Sequence, residues 1–354
     1  MASASWTTRP LAAAIGAVLL AGFLAAGAHD PTQQLATGGG PTSTTLGGND
    51  RIDELLDPRA TLPELTVPSV TLPPVLPTIT VPRRPPSLLG QILFIRRPVP
   101  PQPTTGPVTP SARGYSIWVM AADGSGARPL VDGGYDASPD LSPDGRRVVW
   151  ISGDREIWTM ASDGSDRRRV ATCPLSCGEP KWSPDGRRLA FVPFADDGSW
   201  GSITIVDADG GNPRAYPSAG AEDYSVAWSP DGGRLAVTGH GGGRGLTILD
   251  LATGERRVIR TETSLNPSWH PDGSRILFDD MVDVHVIAPD GSGLVRLTSG
   301  PGQRFAGDWS PDGGLIAYDV ASHTVEPQVA VMNADGSGQR TITDGTVESS
   351  DAAF

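Results

Sequence analysis

Residues 239–243 read Gly-His-Gly-Gly-Gly and are the first candidates for nucleophilic chemistry in this sequence. A run of this kind supplies the oxyanion hole of some esterases, in which backbone N–H groups bind a developing negative charge. The serine that such a loop serves lies in a G-x-S-x-G turn, and the sequence contains none. It also contains neither an H-E-x-x-H zinc pair nor a P-loop. We therefore interpret the run as a flexible hairpin loop, for which glycine is well suited.

Metal chemistry would have to draw on aspartates that recur in Asp-Gly turns. An EF-hand loop needs several oxygen ligands followed by a distant Glu, and no segment offers that set. Spaced one to a turn, these carboxylates are predicted to accept hydrogen bonds from backbone N–H groups of their own turns. The sequence thus predicts no metal site and no cofactor. The aspartates are Asp144, Asp185, Asp209, Asp231, Asp272, Asp312 and Asp335.

The only two cysteines, Cys173 and Cys177, stand four positions apart. The spacing is not that of a zinc site, and no histidine lies nearby. In an exported protein a disulfide is favoured. We predict a local disulfide, with two free thiols or a metal site as the alternatives.

Two interleaved series of turns divide the second part of the chain into repeats. Repeats of this kind have to be identified before any local motif is interpreted. The second series has six copies, starting at Met120, Met160, Val206, Leu249, Ile287 and Met332, most of them built on Asp-Gly. The first series has five copies of P-D-G at intervals of about 40 residues: Leu141–Gly145, Trp182–Gly186, Trp228–Gly232, Trp269–Gly273 and Trp309–Gly313.

The runs between these turns have the length of strands. Apolar strands such as Leu189–Phe191 follow the first series, and others such as Ile203–Val206 precede the second. A polar, arginine-bearing strand such as Arg168–Val170 comes next. Apolar runs indicate burial on both faces, and polar strands belong on an outer edge. The pattern predicts an all-β fold over residues 88–354: a six-bladed β-propeller of four-stranded antiparallel blades.

The first blade lacks its innermost strand in the sequence order. Gln91–Phe94 aligns with the second strand of the other blades, and nothing upstream resembles a P-D-G repeat. Ser349–Phe354 lies beyond the last repeat, and Phe354 falls in register with Trp182 and Trp228. We therefore predict that the C-terminal strand completes the first blade and closes the ring.

The repeated motif resembles the TolB-type, WD-repeat-like propeller repeat: it consists of W-S-P-D-G, then an apolar strand, then M-x-x-D-G-S. The resemblance covers about three quarters of the chain and implies the propeller fold. The family's namesake carries an α/β domain ahead of its propeller, where this sequence has what reads as linker. Its role in docking a peptidoglycan-associated lipoprotein is therefore not carried over.

The sequence before the repeats predicts export. Residues 1–28 combine Arg9 with an uncharged apolar run, Leu11–Ala28, which is typical of a cleaved secretory signal or a retained signal anchor. Residues 29–87 are predicted to be a flexible linker followed by a proline-rich stalk. Both alternatives place the propeller outside the cytoplasm, and the composition favours a bacterial source.

The channel of the ring and the variable loops are where binding is predicted. Variable loops on a rigid scaffold commonly bind partners, and they include Arg96–Arg113, Pro193–Gly201, Val320–Pro327 and the cysteine loop. Polar residues of the innermost strands are the candidates for the channel mouth: Glu179, Lys181, Ser225, Asn266, Asp308 and Asp351.

The sequence as a whole favours a non-catalytic binding or scaffold protein that recognises an envelope protein, a peptide or another cell-envelope component. The alternative is a carbohydrate-active or hydrolytic enzyme with its site at the channel mouth. A net charge of −12 argues against nucleic acid as a partner. Membrane contact is expected only through an N-terminal anchor, and the propeller is expected to be monomeric.

Overall fold

The computed structural model describes residues 87–97, 114–131, 134–195, 199–218, 222–240, 245–322, 326–345 and 347–354. Within these ranges the regular secondary structure consists of strands, without helices. The predicted signal or anchor, linker and stalk in residues 1–86 lie outside the described residues, as do most of the Arg96–Arg113 insertion and residues 241–244.

Six four-stranded antiparallel sheets form the blades, as predicted. The innermost strand of each carries the residues before a P-D-G turn, except in the first blade. In order from blade 2 to blade 6 and back to blade 1, the innermost strands are β4 (Asp136–Leu141), β9 (Lys181–Trp182), β14 (Glu222–Trp228), β18 (Leu265–Trp269), β22 (Gln303–Trp309) and β26 (Ser349–Ala353).

The second and third strands of each blade are the apolar ones, and both of their faces are buried. The second strands, from blade 1 to blade 6, are β1 (Gln91–Arg96), β5 (Arg147–Ser152), β10 (Arg188–Phe191), β15 (Arg234–His240), β19 (Ile276–Asp279) and β23 (Leu315–Ala321). The third strands are β2 (Ser116–Ala121), β6 (Glu156–Ala161), β12 (Ile203–Asp207), β16 (Leu246–Asp250), β20 (Val284–Ile287) and β24 (Gln328–Asn333).

The outer strands are short and expose arginines, a composition that discourages pairing with another chain. They are β3 (Arg128–Val131), β7 (Arg168–Thr172), β13 (Arg214–Tyr216), β17 (Arg256–Arg260), β21 (Val295–Arg296) and β25 (Arg340–Thr341). A small extra sheet pairs β8 (Ser176–Cys177) with β11 (Pro193–Phe194).

The hydrophobic core is divided among the interfaces between blades. Each of six apolar clusters joins two neighbouring blades. Alternate residues of one strand reach opposite interfaces: Val148 and Trp150 pack toward blade 1, whereas Val149 and Ile151 pack toward blade 3. This alternation explains why the second strands read as continuous apolar runs.

The ring closes as the sequence predicts. Strand β26 pairs with β1, with Leu93 opposite Ala353 and Ile95 opposite Ser350. Phe354 is buried in the cluster that joins blade 6 to blade 1. The C-terminal strand therefore supplies the innermost strand of blade 1.

The two ends of the ring differ. At one, the turn end, P-D-G turns are held by their own aspartates: Ser183 Oγ donates to Asp185 Oδ1 at 2.6 Å, and Arg187 N–H donates to the same oxygen at 3.0 Å. The chain joins the propeller at this end, where Leu88 N–H donates to Gly145 O at 2.7 Å. Gly145 has φ +67°, and a Cβ there would collide with Ser87 and Leu89. The opposite end, the loop end, carries the connections between second and third strands.

Candidate functional site

A cavity of about 130 Å³ lies at the loop end on the axis of the ring. All six innermost strands, or the residues just before them, contribute to its wall, so the cavity is the mouth of the central channel. We refer to it as the loop-end cavity. A second, more open cavity at the turn end is lined by Trp182, Trp228, Trp269, Trp309 and Phe354 together with prolines of the P-D-G turns.

The six predicted channel residues belong to two levels. Counting back from the first residue of each P-D-G landmark, or from Phe354, the third residue forms the loop-end ring: Ser138, Glu179, Ser225, Asn266, Ala306 and Asp351. The residue immediately before the landmark forms the turn-end ring: Asp140, Lys181, Ala227, Ser268, Asp308 and Ala353. The two levels are two residues apart along each innermost segment of chain.

Three of the predicted residues line the loop-end cavity from the loop-end ring: Glu179, Asn266 and Asp351. Ser225 is buried beside them, and its Oγ donates to Glu179 Oε2 at 3.2 Å. Lys181 borders both cavities, whereas Asp308 lines only the turn-end one. The structure thus places four of the six residues at the loop-end level. Lys181 and Asp308 lie one level deeper, and of these two only Lys181 also borders the loop-end cavity.

The turn-end ring contains a buried ion pair. Lys181 Nζ lies 3.5 Å from Asp140 Oδ1, and Trp182 N–H donates to Asp140 Oδ2 at 2.8 Å. Ser268 Oγ donates to Asp308. Burial disfavours the charged form of Lys181, but the carboxylates of Asp140, Asp308 and Glu179 raise its pKa above the usual value. Lys181, the only lysine of the chain, is therefore held as a cation in the turn-end ring.

Asp319 is a cavity residue that the sequence did not single out. It lies on the second strand of blade 6 and reaches the axis, where its Oδ2 accepts a hydrogen bond from Asp351 N–H at 2.8 Å. Asp279 has the same position in blade 5, and its Oδ2 accepts from Ala306 N–H at 3.0 Å and from Asn266 Nδ2 at 2.7 Å. Both carboxylates join one blade to the innermost strand of the next.

Three buried carboxyls of the channel have raised pKa values. Burial raises the pKa of Asp351 to about 6, and Glu179 adds to that shift. Burial also raises the pKa of Asp279 to about 6. For Asp319, burial and the neighbouring Asp351 raise the pKa well above its ordinary range.

Three residues of the loop-end ring have left-handed backbone: Ser138 (φ 50°), Asn266 (φ 49°) and Asp351 (φ 56°). Each lies where the pairing of its innermost strand shifts register, as in a β-bulge. Bulges redirect side chains, and such backbone recurs at functional sites. Asn and Asp tolerate this conformation better than most residues.

One wall of the loop-end cavity is made by aromatic side chains and the cysteine loop. Trp200 contacts Phe194 and Tyr224 edge-on, with ring centroids 4.9 and 5.0 Å away. Cys173 and Cys177 form a disulfide, and Gly178 N–H donates to Val192 O at 2.7 Å, which holds the cysteine loop against blade 3. Burial raises the pKa of Tyr224 above its usual value.

Among the described residues, no group of three or more His, Cys, Asp or Glu side chains has an arrangement that could hold a metal ion. Nor do those residues include a helix long and apolar enough to cross a membrane.

Comparison with known proteins places this geometry in a family. The family profile described as "TolB beta propeller domain" matches residues 106–245 and 199–353. A protein named "Protein TolB homolog" from Chlorobium luteolum is 32% identical over 241 residues, which cover 60% of this chain and 44% of the relative. An "Uncharacterized peptidase YuxL" from Bacillus subtilis is 25% identical over 175 residues, 46% of this chain and 24% of the relative.

Solved structures agree on the fold. The crystal structure of TolB from Acinetobacter baumannii superposes with a TM-score of 0.64 at 19% identity, covering 76% of this chain and 67% of that one. The chain spans less than half the length of the curated relatives it matches. Because the family profile matches well over half of the chain, the chain belongs to the TolB β-propeller family.

Proposed function

We propose that this protein is a non-catalytic binding protein of the bacterial cell envelope, which recognises a protein or peptide at the loop end of its propeller. The observation that carries the proposal is the loop-end cavity, where polar groups of the channel and aromatic side chains meet on the axis. Concave sites with apolar walls and a few converging polar groups are typical of ligand binding. Membership of the TolB family and the export signal predicted for residues 1–28 support the envelope as its location.

The size of the cavity supports a macromolecular partner that inserts one side chain. At about 130 Å³ it is close to the roughly 150 Å³ cavity that takes up a benzene molecule. The remainder of such a partner would lie across the loops around the mouth. A buried anchor surrounded by weaker contacts is the usual anatomy of a protein interface.

Catalysis at the same cavity, by a carbohydrate-active or hydrolytic enzyme, is the alternative. The raised pKa values of Asp319 and Asp351 favour it, because a general acid must stay protonated near neutral pH. However, Asp319 Oδ2 and Asp351 Oδ2 each accept a backbone N–H group, at 2.8 and 3.2 Å. A structural use of both carboxyls accounts for their burial without a substrate.

The test captures partners of the full chain from an envelope extract and then measures the affinity of each purified partner. Trp200→Ala, which removes an aromatic wall of the cavity, should weaken binding by at least about tenfold, the effect of losing one interface anchor. Trp158→Ala is the matched control, since Trp158 is half-buried in blade 2 and does not line the cavity. Equal loss in both variants, or none in either, would refute a loop-end site, and turnover of a captured glycan or peptide would favour the enzyme.

A further inference from the structure

Blade 1 is the only blade whose first two strands are not joined by a turn. Its innermost strand β26 and its second strand β1 come from opposite ends of the described chain, whereas a P-D-G turn joins these two strands in blades 2 to 6. The pairing of β1 with β26 also shifts register between Leu93 and Ile95. This seam is therefore the place where the ring can open without a covalent link to resist it.

In blades 3 to 5, each P-D-G turn packs on the turn of the blade before it. A Cβ atom added to Gly186 of blade 3 would lie nearest to Pro143 of blade 2, and blades 4 and 5 repeat this contact. Gly145 of blade 2 packs on the segment by which the chain enters the propeller, since a Cβ atom there would collide with Ser87 and Leu89. This segment, from Ser87 to Leu89, thus occupies the position that a turn of blade 1 would have, and we refer to it as the entry clip.

The entry clip is fixed to blade 2 by its backbone and by one side chain. Leu88 N–H donates to Gly145 O at 2.7 Å, and Ser87 Oγ donates to Asp144 O at 2.9 Å. The Leu88 side chain is 1% exposed and belongs to the apolar cluster that joins blades 1 and 2. Full burial of a leucine stabilises more than one exposed hydrogen bond does, so Leu88 is the main anchor of the clip.

The clip lies directly before the seam in the chain. Gln91 N–H donates to Leu88 O at 2.9 Å, and β1 begins at Gln91. A pull on the chain before residue 87 therefore acts on the clip before it acts on β1. A signal anchor, one of the two alternatives predicted for residues 1–28, would deliver such a pull whenever a bound partner moves relative to the membrane.

We propose that the entry clip protects the closure of the ring against tension that reaches the propeller from its N-terminal side. Tension on residue 87 is passed to blade 2 through the buried Leu88 side chain and the carbonyl groups of Asp144 and Gly145. The pairing of β1 with β26 carries no tension until the clip is released. This role does not depend on what the loop end binds.

The experiment measures the lifetime of single folded molecules of the full chain under constant force, in two pulling geometries. In the first, the N-terminus is held and the force is applied at Glu255→Cys, an exposed position in an outer turn of blade 4, so that the force passes through residue 87. In the second, the force is applied between Glu255→Cys and Arg167→Cys, an exposed position of blade 2, so that it bypasses residue 87.

Leu88→Ala weakens the main anchor of the clip. In the first geometry it should shorten the lifetime at least about tenfold, because truncating a buried leucine costs more than a tenfold change in rate requires. In the second geometry its effect should be much smaller, because that force does not reach the clip. A leucine that serves only as a core residue would instead shorten both lifetimes alike.

Gly145→Ala displaces the clip without changing its own residues, since the added Cβ atom collides with Ser87 and Leu89. Gly186→Ala is the matched control, because both glycines have φ +67° and a Cβ atom at Gly186 comes no closer than 3.8 Å to its nearest neighbour, Pro143. The two substitutions introduce the same backbone strain. Gly145→Ala should therefore shorten the lifetime in the first geometry well beyond the control. Circular dichroism and melting temperature show whether each variant folds, and Leu88→Ala decides the question if Gly145→Ala does not fold.

Three results would overturn the proposal. Equal lifetimes of Leu88→Ala and the wild type in the first geometry would show that the clip carries no tension. An equal loss in both geometries would make Leu88 a core residue without this role. Equal effects of Gly145→Ala and Gly186→Ala would assign the loss to backbone strain.

Discussion

Removal of residues 349–354 should open the ring between blades 6 and 1. These residues comprise β26 and the terminal Phe354, which is 7% exposed in a cluster with Ile92, Phe94 and Val329. Their loss would expose the edge of β1 and leave Asp319 Oδ2 without the N–H group of Asp351. Chain ends usually tolerate deletion because they are frayed, so this expectation is the opposite of the common one.

The loss of stability can be estimated from one side chain of this segment, Phe354. Replacing a buried Phe by Ala typically costs about 3–5 kcal/mol. At about 2–4 °C per kcal/mol for a domain of this size, Phe354→Ala should lower the melting temperature by about 6–20 °C. The deletion should lower the free energy of unfolding further, because it also removes the pairing of β26 with β1. It leaves Asp319 Oδ2 without the N–H group of Asp351.

The assay is thermal unfolding of the full chain, the deletion and Phe354→Ala, with light scattering to follow association. Phe354→Trp is the matched control, since tryptophan occupies the same register position in four other blades, as at Trp182 and Trp228. It should lie much closer to the wild type than Phe354→Ala does. If the deleted protein remains monomeric and melts with the full chain, β26 does not hold the ring together and the reasoning is wrong.

Three other changes have expected outcomes. Lys181→Met should destabilise the fold by about 3–5 kcal/mol, because it leaves Asp140 buried without its cation. In chemical denaturation, the double variant Lys181→Met/Asp140→Asn should recover part of this loss. Additive effects of the two substitutions would show that the two side chains are not energetically coupled. Burial raises the pKa of channel carboxyls, so the folded state holds more protons than the unfolded chain between about pH 4 and 6. Melting temperature should therefore rise as pH falls from 7.5 to 5, and an undiminished rise in Asp319→Asn would exclude that residue as a cause. Replacing Cys173 and Cys177 by Ser should lower the free energy of unfolding by at most about 2 kcal/mol for a five-residue ring; alkylation and intact mass should find no free thiol in the wild type.

The fold could be predicted because its information is local and repeated. Each blade contains two tight turns with a distinctive composition, and the strands between them differ in polarity according to their distance from the axis. The closure followed from the same periodicity: once Phe354 is aligned with Trp228, the strand before it must pair with β1, and Leu93 opposite Ala353 shows that register.

The site was less accessible to the sequence because it depends on contacts between blades. Alignment of the repeats identifies the loop-end ring, and it would also have pointed to Asp140, which has the register position of Lys181 and Asp308. It does not show that Asp319 and Asp279, at the same position of two second strands, contact the innermost strand of the next blade, since most residues of these strands are apolar and face the core. Nor could it place Trp200 beside Tyr224, because a loop of blade 3 and a strand of blade 4 meet only in the folded ring.

The point at which the chain joins the propeller bears on how the loop end could be reached. Ser87 Oγ donates to Asp144 O at 2.9 Å, and Leu88 is buried against blade 2, so residue 87 is fixed at the turn end. The loop-end cavity opens at the opposite end of the channel. The chain therefore enters the propeller at residue 87 from the end opposite the proposed binding site.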